Sequence, residues 1–372
     1  MAELERYIGL MSGTSIDAID AVLLEFDAAG PRVSSSHSTA IPAPLRDAIV
    51  NLCLPGNDHL DLLGATDRAL GELFAQAALG LIAGAGLTAE DIIAIGSHGQ
   101  TVRHRPNGER PFTLQIADPN LIATATGIAT VADFRRKDMA LGGQGAPLVP
   151  AFHRAVFHHP QRHRLIANIG GIGNVTWIPA QGAVAGFDTG PGNGLMDQWI
   201  QRHQGRPYDQ DGRWAASGAV DSQLLAHLLD HPFLTLPAPK STGREDFNLP
   251  WLDAVIARSG CGAAPADVQA TLAVYTATTL ARATALLPGG ERADEVYLCG
   301  GGAYNRHLVS LLSGLLAPLP VATTGELGIP PEHVEGAAFA WLARQRLRQL
   351  PGSLASVTGA SRDAVLGALY LP

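Results

Sequence analysis

The sequence predicts an α/β protein of two domains, and three observations favour this class. With 372 residues, the chain is long for a single hydrophobic core. Hydrophobic residues make up 46% and charged residues 16%, which is typical of a well-buried globular protein. Strand-like runs alternate with helical patterns, and a strand, glycine turn, strand arrangement occurs in each half. We place the first domain at residues 1–150 and the second at 151–372, with a last helix that can pack back on the first.

Charge and cysteine content exclude several functional classes. A net charge of −8 does not favour binding to nucleic acid or to an anionic membrane, since both require clustered Lys and Arg. The 3 cysteines are scattered without metal-ligand spacing, which favours a reducing compartment over disulfides or zinc. Residues 1–6 are acidic overall and run into a predicted strand, which leaves no room for an export signal. The apolar stretch 268–287 carries Arg282 and is therefore expected to be a buried helix, not a membrane span. We expect a cytoplasmic protein that acts without membrane or nucleic acid.

The first half of the chain opens with a predicted hairpin. Residues 7–11 and 19–26 are apolar or β-branched runs on either side of a glycine-containing turn, which predicts two antiparallel strands. Further strands are predicted at 92–96 and 128–134. A core-facing helix is indicated by apolar residues at spacings of seven, four, three and four, namely Leu63, Leu70, Phe74, Ala77 and Leu81.

The second half repeats the opening arrangement. Residues 165–169 and 174–178 predict two strands around a glycine-rich turn. A long helical pattern covers 263–287, and a further strand at 295–298 is followed by three glycines. A final helical pattern runs from 333 to 350. The repetition indicates two related α/β domains.

Three glycine-rich turns follow predicted strands, at residues 12–15, 170–173 and 300–302. Glycine permits positive φ and close backbone approach, so such turns can direct several N–H groups at one phosphate. Each turn taken singly is more commonly an ordinary tight turn. None matches the P-loop or the dinucleotide fingerprint, so a nucleotide site would need a different architecture.

Several polar residues are candidates for chemistry. Asp188 lies in a Gly- and Pro-rich segment, where it could act as a general base or cap the helix expected near Gly194; spacing favours neither role. Residues 133–138 mix carboxylates and cations, which suits an anionic or polyhydroxylated ligand but is more often a solvated turn. His98 follows a strand, yet a lone histidine is more often structural than catalytic.

The motifs resemble, in order, those of the anhydro-N-acetylmuramic acid kinase family. The matching segments span nearly the whole chain and are residues 9–17, 96–101, 132–135, 142–147, 168–174, 187–193, 240–244, 299–305 and 335–341. One departure is visible, because Ala18 stands where the family commonly has glycine after the aspartate of the first loop. That change matters only if the turn requires a positive φ at position 18.

The resemblance implies the fold of actin, hexokinase and Hsp70, with two ribonuclease-H-like domains facing each other across a nucleotide and substrate cleft. It implies ATP and Mg²⁺ as cofactors, with Asp17 as the candidate that holds the metal through water. The residues that it implies for ATP binding are Gly13, Thr14, Ser15, Ile16, Asp17, Ala18, Ile19, Asp20, Gly171, Gly173, Asn174, Gly300, Gly301, Gly302 and Asn305.

The resemblance also implies a reaction, in which the 1,6-anhydro ring of 1,6-anhydro-N-acetylmuramic acid is opened by water and O6 is phosphorylated. Asp188 matches the family's general base, and His98, Asp133 and Arg135 are candidates for contacting the amino sugar. A homodimer and a role in cell-wall recycling are further implications. Two alternatives stay open: a kinase of this fold for another hydroxylated or carboxylated metabolite, and a chaperone-like ATPase whose turnover is independent of sugar.

Overall fold

The computed structural model describes residues 4–13, 15–28, 30–54, 56, 59–238, 240–243 and 246–372. The chain divides into two compact units. The first comprises Met1–Val156 together with His333–Pro372, and the second comprises Phe157–Glu332. The sequence analysis placed the boundary at residue 150 and assigned residues 151–372 to the second domain, with a last helix that can pack back on the first. The structure instead returns the last forty residues, 333–372, to the first unit.

The first unit is built on a mixed sheet with the strand order β13-β7-β4-β1-β2-β3. Strands β1, β2 and β3 form an antiparallel meander, whereas β4 pairs parallel with β1 and β7 pairs parallel with β4. Strands β5 and β6 form a separate hairpin. The strands are β1 Glu5–Met11, β2 Ala18–Asp27, β3 Gly30–Ala40, β4 Ala94–Ser97, β5 Gln100–Arg105, β6 Phe112–Ile116, β7 Thr130–Ala132 and β13 Ala368–Tyr370. The helices are α1 Ala43–Cys53, α2 Leu60–Gly84, α3 Pro119–Thr126, α4 Arg135–Ala140, α5 Val149–Phe157, which ends at the boundary, α13 Val334–Leu347 and α14 Ala355–Thr358.

Helices cover both faces of this sheet. Successive side chains along β1 point to opposite faces, so alternate residues of the strand meet different helices. Ile8 and Leu10 are fully buried in the core that β1 and β2 form with α1 and α2. The opposite face carries Gly9 and, on β4, Gly96, and there α13 lies so close that a Cβ at either glycine would collide with its backbone. Glycine at these two positions lets the helix seat on the strands. The final predicted helix therefore belongs to the first unit.

The second unit is built on a sheet with the strand order β10-β9-β8-β11-β12. Strands β8, β9 and β10 are antiparallel, and β11 and β12 continue in parallel from the other side of β8. The strands are β8 Arg164–Ile169, β9 Ile172–Ile178, β10 Ala185–Pro191, β11 Glu295–Cys299 and β12 Val321–Thr323. The helices are α6 Gly194–Gln204, α7 Arg213–Ser217, α8 Ser222–Leu229, α9 Pro232–Thr235, α10 Leu249–Ser259, α11 Pro265–Ala283 and α12 Arg306–Leu316.

The two sheets share one five-stranded topology, to which the first sheet adds β13 antiparallel to β7. In each, an antiparallel meander of three strands is extended from its first strand by two parallel strands, which is the ribonuclease-H-like arrangement. The prediction of an α/β protein with two ribonuclease-H-like domains is therefore confirmed. The predicted strand at 128–134 is shorter than expected, because Asp133 adopts a positive φ of 58° and ends β7. Among the described residues, every helix is too short or too polar to cross a membrane.

Candidate functional site

In the first unit, three candidate segments follow the carboxyl ends of neighbouring parallel strands. The first loop, residues 13–20, follows β1 and runs into β2, His98 follows β4, and Asp133 follows β7. Leu10 on β1 pairs with Ser97 on β4. The His98 N–H donates to the carbonyl of Leu10 at 3.0 Å, and Ser12 Oγ donates to Gln100 Oε1 at 2.7 Å. Carboxyl edges of parallel strands are where α/β folds bind ligands. The fold therefore brings these segments to one edge of the sheet.

The first loop is a tight turn that can offer backbone rather than apolar side-chain contacts. The Ile16 N–H donates to the carbonyl of Gly13 at 3.2 Å, and Ile16 has a φ of 58°. The side chains of Ile16 and Ile19 are buried in the core, so only their backbone atoms could meet a nucleotide. Ala18 is a strand residue paired with Ala40, outside the positive-φ region, so its methyl group causes no strain. Thr14 lies outside the described residues.

The acidic residues of this loop already have partners within the protein. Asp17 is exposed and its Oδ1 lies 3.1 Å from an Arg46 guanidinium nitrogen, while Asp20 Oδ1 accepts from Ser38 Oγ at 2.7 Å. Within the described part of the chain, no group of three or more His, Cys, Asp or Glu residues could hold a metal ion. Asp17 alone fits a Mg²⁺ ion only where phosphate oxygens and water complete the coordination shell.

His98, which is buried, pairs with Arg135, which is partly buried. His98 Nδ1 lies 2.9 Å from the carbonyl oxygen of Gly99, and Arg135 Nε donates to His98 Nε2 at 3.2 Å. Nδ1 therefore carries the proton of a neutral imidazole. Burial, followed by the charge of Arg135, holds the pKa of His98 well below its usual value. Because both ring nitrogens are engaged, His98 orients Arg135 and must exchange a bond before it can contact a sugar.

Arg135 is partly buried in the first unit, where it feels the charge of a carboxylate that the sequence analysis did not single out. One of its terminal nitrogens donates to the carbonyl of Gly145 at 2.8 Å. Burial lowers the pKa of Arg135 to about 10, against the charges of Glu335 and Asp138. Burial also raises the pKa of Glu335, which lies in the first turn of α13, while the charge of Arg135 opposes that shift. The only sequence signal for Glu335 is its position at the start of the matching segment 335–341.

A pocket of about 170 Å³ in the first unit brings His98 and Asp133 together with Ser97, Arg136 and Tyr370. Arg136 Nε donates to Asp133 Oδ1 at 2.7 Å. The Ser97 hydroxyl is buried and has no hydrogen-bond partner in the protein, so it could serve a ligand. Strained φ values concentrate at functional sites, and here Asp133 has a φ of 58° and Ala117, also lining the pocket, one of 105°.

In the second unit, two glycine turns follow the carboxyl ends of the parallel strands β8 and β11. Gly300 has a φ of 78°, and a Cβ there would overlap the side chain of Asn168. A Cβ at Gly302 would overlap Ile169 in the same way. The Asn193 N–H donates to the carbonyl of Gly170 at 2.7 Å, which ties the loop before α6 to the first of these turns. Glycine at positions 300 and 302 therefore lets this turn pack closely against the end of β8, and an anion site at these turns stays a prediction.

Beside these turns lies a second pocket, of about 490 Å³, which contains the predicted residues Gly301 and Asn305. Two tyrosines that the sequence analysis missed also line it: Tyr208 is 57% and Tyr304 52% exposed. The Tyr304 hydroxyl donates to the Glu332 carboxylate. Exposed aromatic rings at a pocket suit a flat heteroaromatic group. Tyr208 belongs to none of the matching segments, so no motif could have identified it.

Asp188 lies within β10 at a bulge, where the register with β9 shifts between Asp188 and Gly190. Its Oδ2 accepts from Ser241 Oγ at 2.8 Å and from the Thr242 N–H at 2.9 Å. Burial raises the pKa of Asp188, while these two bonds and the charge of Lys240 oppose the shift. The helix-cap alternative is wrong, because Asn193 occupies the N-cap position of α6. Asp188 has the environment of a proton acceptor.

Asp188 also lies beside the predicted nucleotide residues of the second unit. Across the sheet it pairs with Asn174, which pairs in turn with Asn168, and Asn168 pairs with Cys299 just before the glycines of 300–302. Neighbouring partners on a sheet project to the same face. The second unit therefore brings together Asp188, Asn174 and both of its glycine turns.

A comparison with protein families decides the classification. The model of the anhydro-N-acetylmuramic acid kinase family matches residues 5–372. The chain belongs to this family. A curated anhydro-N-acetylmuramic acid kinase of Shewanella halifaxensis is 55% identical over 98% of both chains. That of Saccharophagus degradans is 52% identical over 98% of this chain and 99% of its own. The family predicted from the motifs is therefore confirmed, and with it the class of enzyme, a kinase.

Two solved structures from other families are distantly similar to this protein. Component A of the (R)-2-hydroxyglutaryl-CoA dehydratase of Acidaminococcus fermentans is 12% identical, with a TM-score of 0.48 over 90% of this chain and 96% of its own. A glucokinase of the ROK family from Streptomyces griseus is 14% identical, with a TM-score of 0.41 over 91% and 99%. Similarity at this level does not establish a shared fold, so the fold is assigned from the strand order of the two sheets.

Proposed function

We propose that this protein is an ATP-dependent kinase that opens the 1,6-anhydro ring of 1,6-anhydro-N-acetylmuramic acid and phosphorylates O6, giving N-acetylmuramic acid 6-phosphate. Within a chain of this family, the observation that carries the proposal is the setting of Asp188. Its carboxyl is partly buried, one oxygen is held by two donors, and its pKa is raised. Such a carboxylate suits the removal of a proton from water.

The proposed reaction balances without a separate acid. Asp188 takes a proton from a water molecule, and the water oxygen forms a bond to the anomeric carbon of the sugar. The bond between that carbon and O6 breaks, and O6 keeps the electron pair. O6 then attacks the γ-phosphorus of ATP, and the bond from that phosphorus to ADP breaks. The leaving oxygen is thus phosphorylated instead of being protonated.

ATP binding is assigned to two groups of residues. The backbone of the first loop, from Gly13 to Asp20, and the turn with Gly171, Gly173 and Asn174 would hold the phosphates. Gly300, Gly301, Gly302 and Asn305 would border the adenosine, in the pocket that Tyr208 and Tyr304 line. Mg²⁺ would neutralise charge on the phosphates, and Asp17 would hold it through water in competition with Arg46.

The amino sugar is assigned to the first unit's pocket. Asp133 and His98 line that pocket, and Arg135, held by His98, is the candidate for the lactyl carboxylate because a guanidinium matches carboxylate geometry. The proposal includes a cytoplasmic role in recycling cell-wall sugars and, as the family resemblance implies, a homodimer. Light scattering on the purified protein measures the oligomeric state directly.

Replacing Tyr208 by Ala is expected to weaken ATP binding about 2- to 10-fold, since a stacked aromatic contact contributes about 0.5–1.5 kcal/mol. The free energy of unfolding should change little, because the side chain is 57% exposed. Calorimetric titration with ATP measures the change. Leu315→Ala, which removes another exposed side chain from the same unit, is the matched control. Equal ATP affinity in both variants would remove Tyr208 from the nucleotide site.

Mass spectrometry of the reaction products in ¹⁸O-water tests the proposed function. Purified protein with Mg-ATP and 1,6-anhydro-N-acetylmuramic acid should yield a ring-opened, phosphorylated product that carries one ¹⁸O from water. Ordinary N-acetylmuramic acid serves as the comparison substrate. Phosphorylation of that sugar with none of the anhydro sugar would replace the proposal by a simple sugar kinase. ATP turnover that no sugar stimulates would favour a chaperone-like ATPase.

A further inference from the structure

The carboxylate of Asp188 is held by a segment about fifty residues away in the sequence. We propose that this segment, residues 240–242, is a positioning device for the general base, in which Ser241 and the backbone of Thr242 fix Oδ2 and leave Oδ1 to accept the proton. The inference rests on the proposed function. It assigns a role to two residues that the motifs alone left without one.

The geometry distinguishes the two oxygens of the carboxylate. Ser241 Oγ at 2.8 Å and the Thr242 nitrogen at 2.9 Å both donate to Oδ2. A carboxylate oxygen accepts hydrogen bonds at two lone-pair positions, so two donors fill the accepting capacity of Oδ2. A water molecule that loses a proton to Asp188 must therefore approach Oδ1. Fixing one oxygen also fixes the plane of the carboxylate relative to the strand.

The positioning segment is itself anchored to the second unit. The Asp188 N–H donates to the carbonyl of Lys240 at 3.0 Å, so strand and segment are joined through the backbone as well. Lys240 Nζ donates to the carbonyl of Phe233 and that of Leu234, each at 3.1 Å, and lies 4.7 Å from the centroid of the Phe233 ring. The Lys240 ammonium is thus engaged with α9. These contacts with α9 fix the start of the segment, so its donors to Asp188 are held in place.

A second contact anchors the far side of the segment. Thr242 Oγ1 donates to Asp246 Oδ2 at 2.6 Å, which places a further hydrogen bond beyond the N–H that contacts Asp188. Thr242 is therefore anchored through its side-chain hydroxyl as well as through the N–H that contacts Asp188. A donor that is already oriented costs little ordering entropy when the substrate binds.

The two hydrogen-bond donors also oppose the effect of burial on the pKa of Asp188. Burial raises the pKa of Asp188, and hydrogen bonds to the ionised form lower it. Loss of the Ser241 hydroxyl removes one of these bonds, so the pKa rises further. The base must be ionised to act, and activity is lost as the pH falls through its pKa. The acid limb of the pH profile of kcat/KM should therefore move to higher pH.

Ser241→Ala tests the proposal through the pH profile of kcat/KM for the anhydro sugar. We expect the acid limb to move upward by about one pH unit, with the rate recovering toward that of the wild type on the alkaline side. Ser241→Thr, which retains a hydroxyl, should restore the limb. Ser222→Ala removes an exposed hydroxyl elsewhere in the same unit and is the control. A uniform loss of rate at every pH would show a merely structural role and overturn the proposal.

A titration that needs no turnover separates this proposal from the proposed function. In protein with ¹³C-labelled aspartate carboxyls, the resonance absent from Asp188→Asn identifies Asp188, and its pKa can be followed directly. A higher pKa in Ser241→Ala supports the positioning role even if the wild type does not consume the anhydro sugar. An unchanged pKa, in a wild type that does consume it, overturns the positioning role and leaves the function standing.

Discussion

Asp188→Asn is expected to lower kcat for 1,6-anhydro-N-acetylmuramic acid by about 10²- to 10⁴-fold, the usual contribution of a general base. Asn keeps an acceptor oxygen for Ser241 Oγ and the Thr242 N–H, so the positioning contacts can persist while the proton acceptor is lost. ATP binding should remain, because the change removes no contact assigned to the nucleotide. Steady-state kinetics with calorimetric titration of ATP measures both quantities.

The control for Asp188→Asn is the same chemical change at an exposed carboxylate of the same unit. Asp253 lies on α10, and its Oδ1 pairs with an Arg202 guanidinium nitrogen at 2.6 Å on the surface. Asp253→Asn should retain the wild-type rate, since an exposed ion pair contributes little to stability. If Asp188→Asn turned over the anhydro sugar as fast as Asp253→Asn, water activation would need another base.

The elements that the sequence predicted are those with a strong apolar pattern. Residues 7–11 and 19–26 are β-strands, and the apolar stripe from Leu63 to Leu81 lies on α2. Strand β3 was not predicted, because its sequence from Gly30 to Ala40 is rich in Ser and most of its residues are exposed or partly exposed. An edge strand is held by backbone hydrogen bonds to one neighbour, here the buried strand β2. Such pairing does not require alternating apolar side chains, so the sequence of β3 shows little periodicity.

The candidate site shows the same division between local pattern and tertiary contact. Motifs pointed to Asp188, but spacing could not choose between a helix cap and a base. The cap is excluded by Asn193 at the N-cap of α6, and the proposed role as a base rests on contacts with Ser241 and Thr242, which are 53 and 54 residues away in the sequence. Likewise, the sequence suggested that His98 contacts the sugar, whereas both of its ring nitrogens already bond to Gly99 and Arg135. Partners such as Arg135 and Ser241, which are distant in sequence, become visible only when the chain is folded.

Gly9→Ala is expected to lower the free energy of unfolding by about 3 kcal/mol, the upper part of the usual range for overpacking. A Cβ at position 9 would collide with the carbonyl oxygen of Gly336 and lie 2.8 Å from the Ala340 nitrogen. Both atoms belong to the backbone of α13, so relief requires the helix to move away from β1, whereas a flexible side chain could simply rotate. Urea unfolding followed by circular dichroism measures the loss.

Gly64→Ala provides the matched comparison, because the same methyl group is added where the structure has room. Gly64 lies inside α2, and a Cβ there has no atom within 4 Å. Alanine is the better helix former, so this variant should gain about 0.5–1 kcal/mol. The opposite signs at positions 9 and 64 would show that contact with α13 is what requires glycine on β1. If Gly9→Ala were as stable as the wild type, α13 could not lie on the strand as closely as the structure places it.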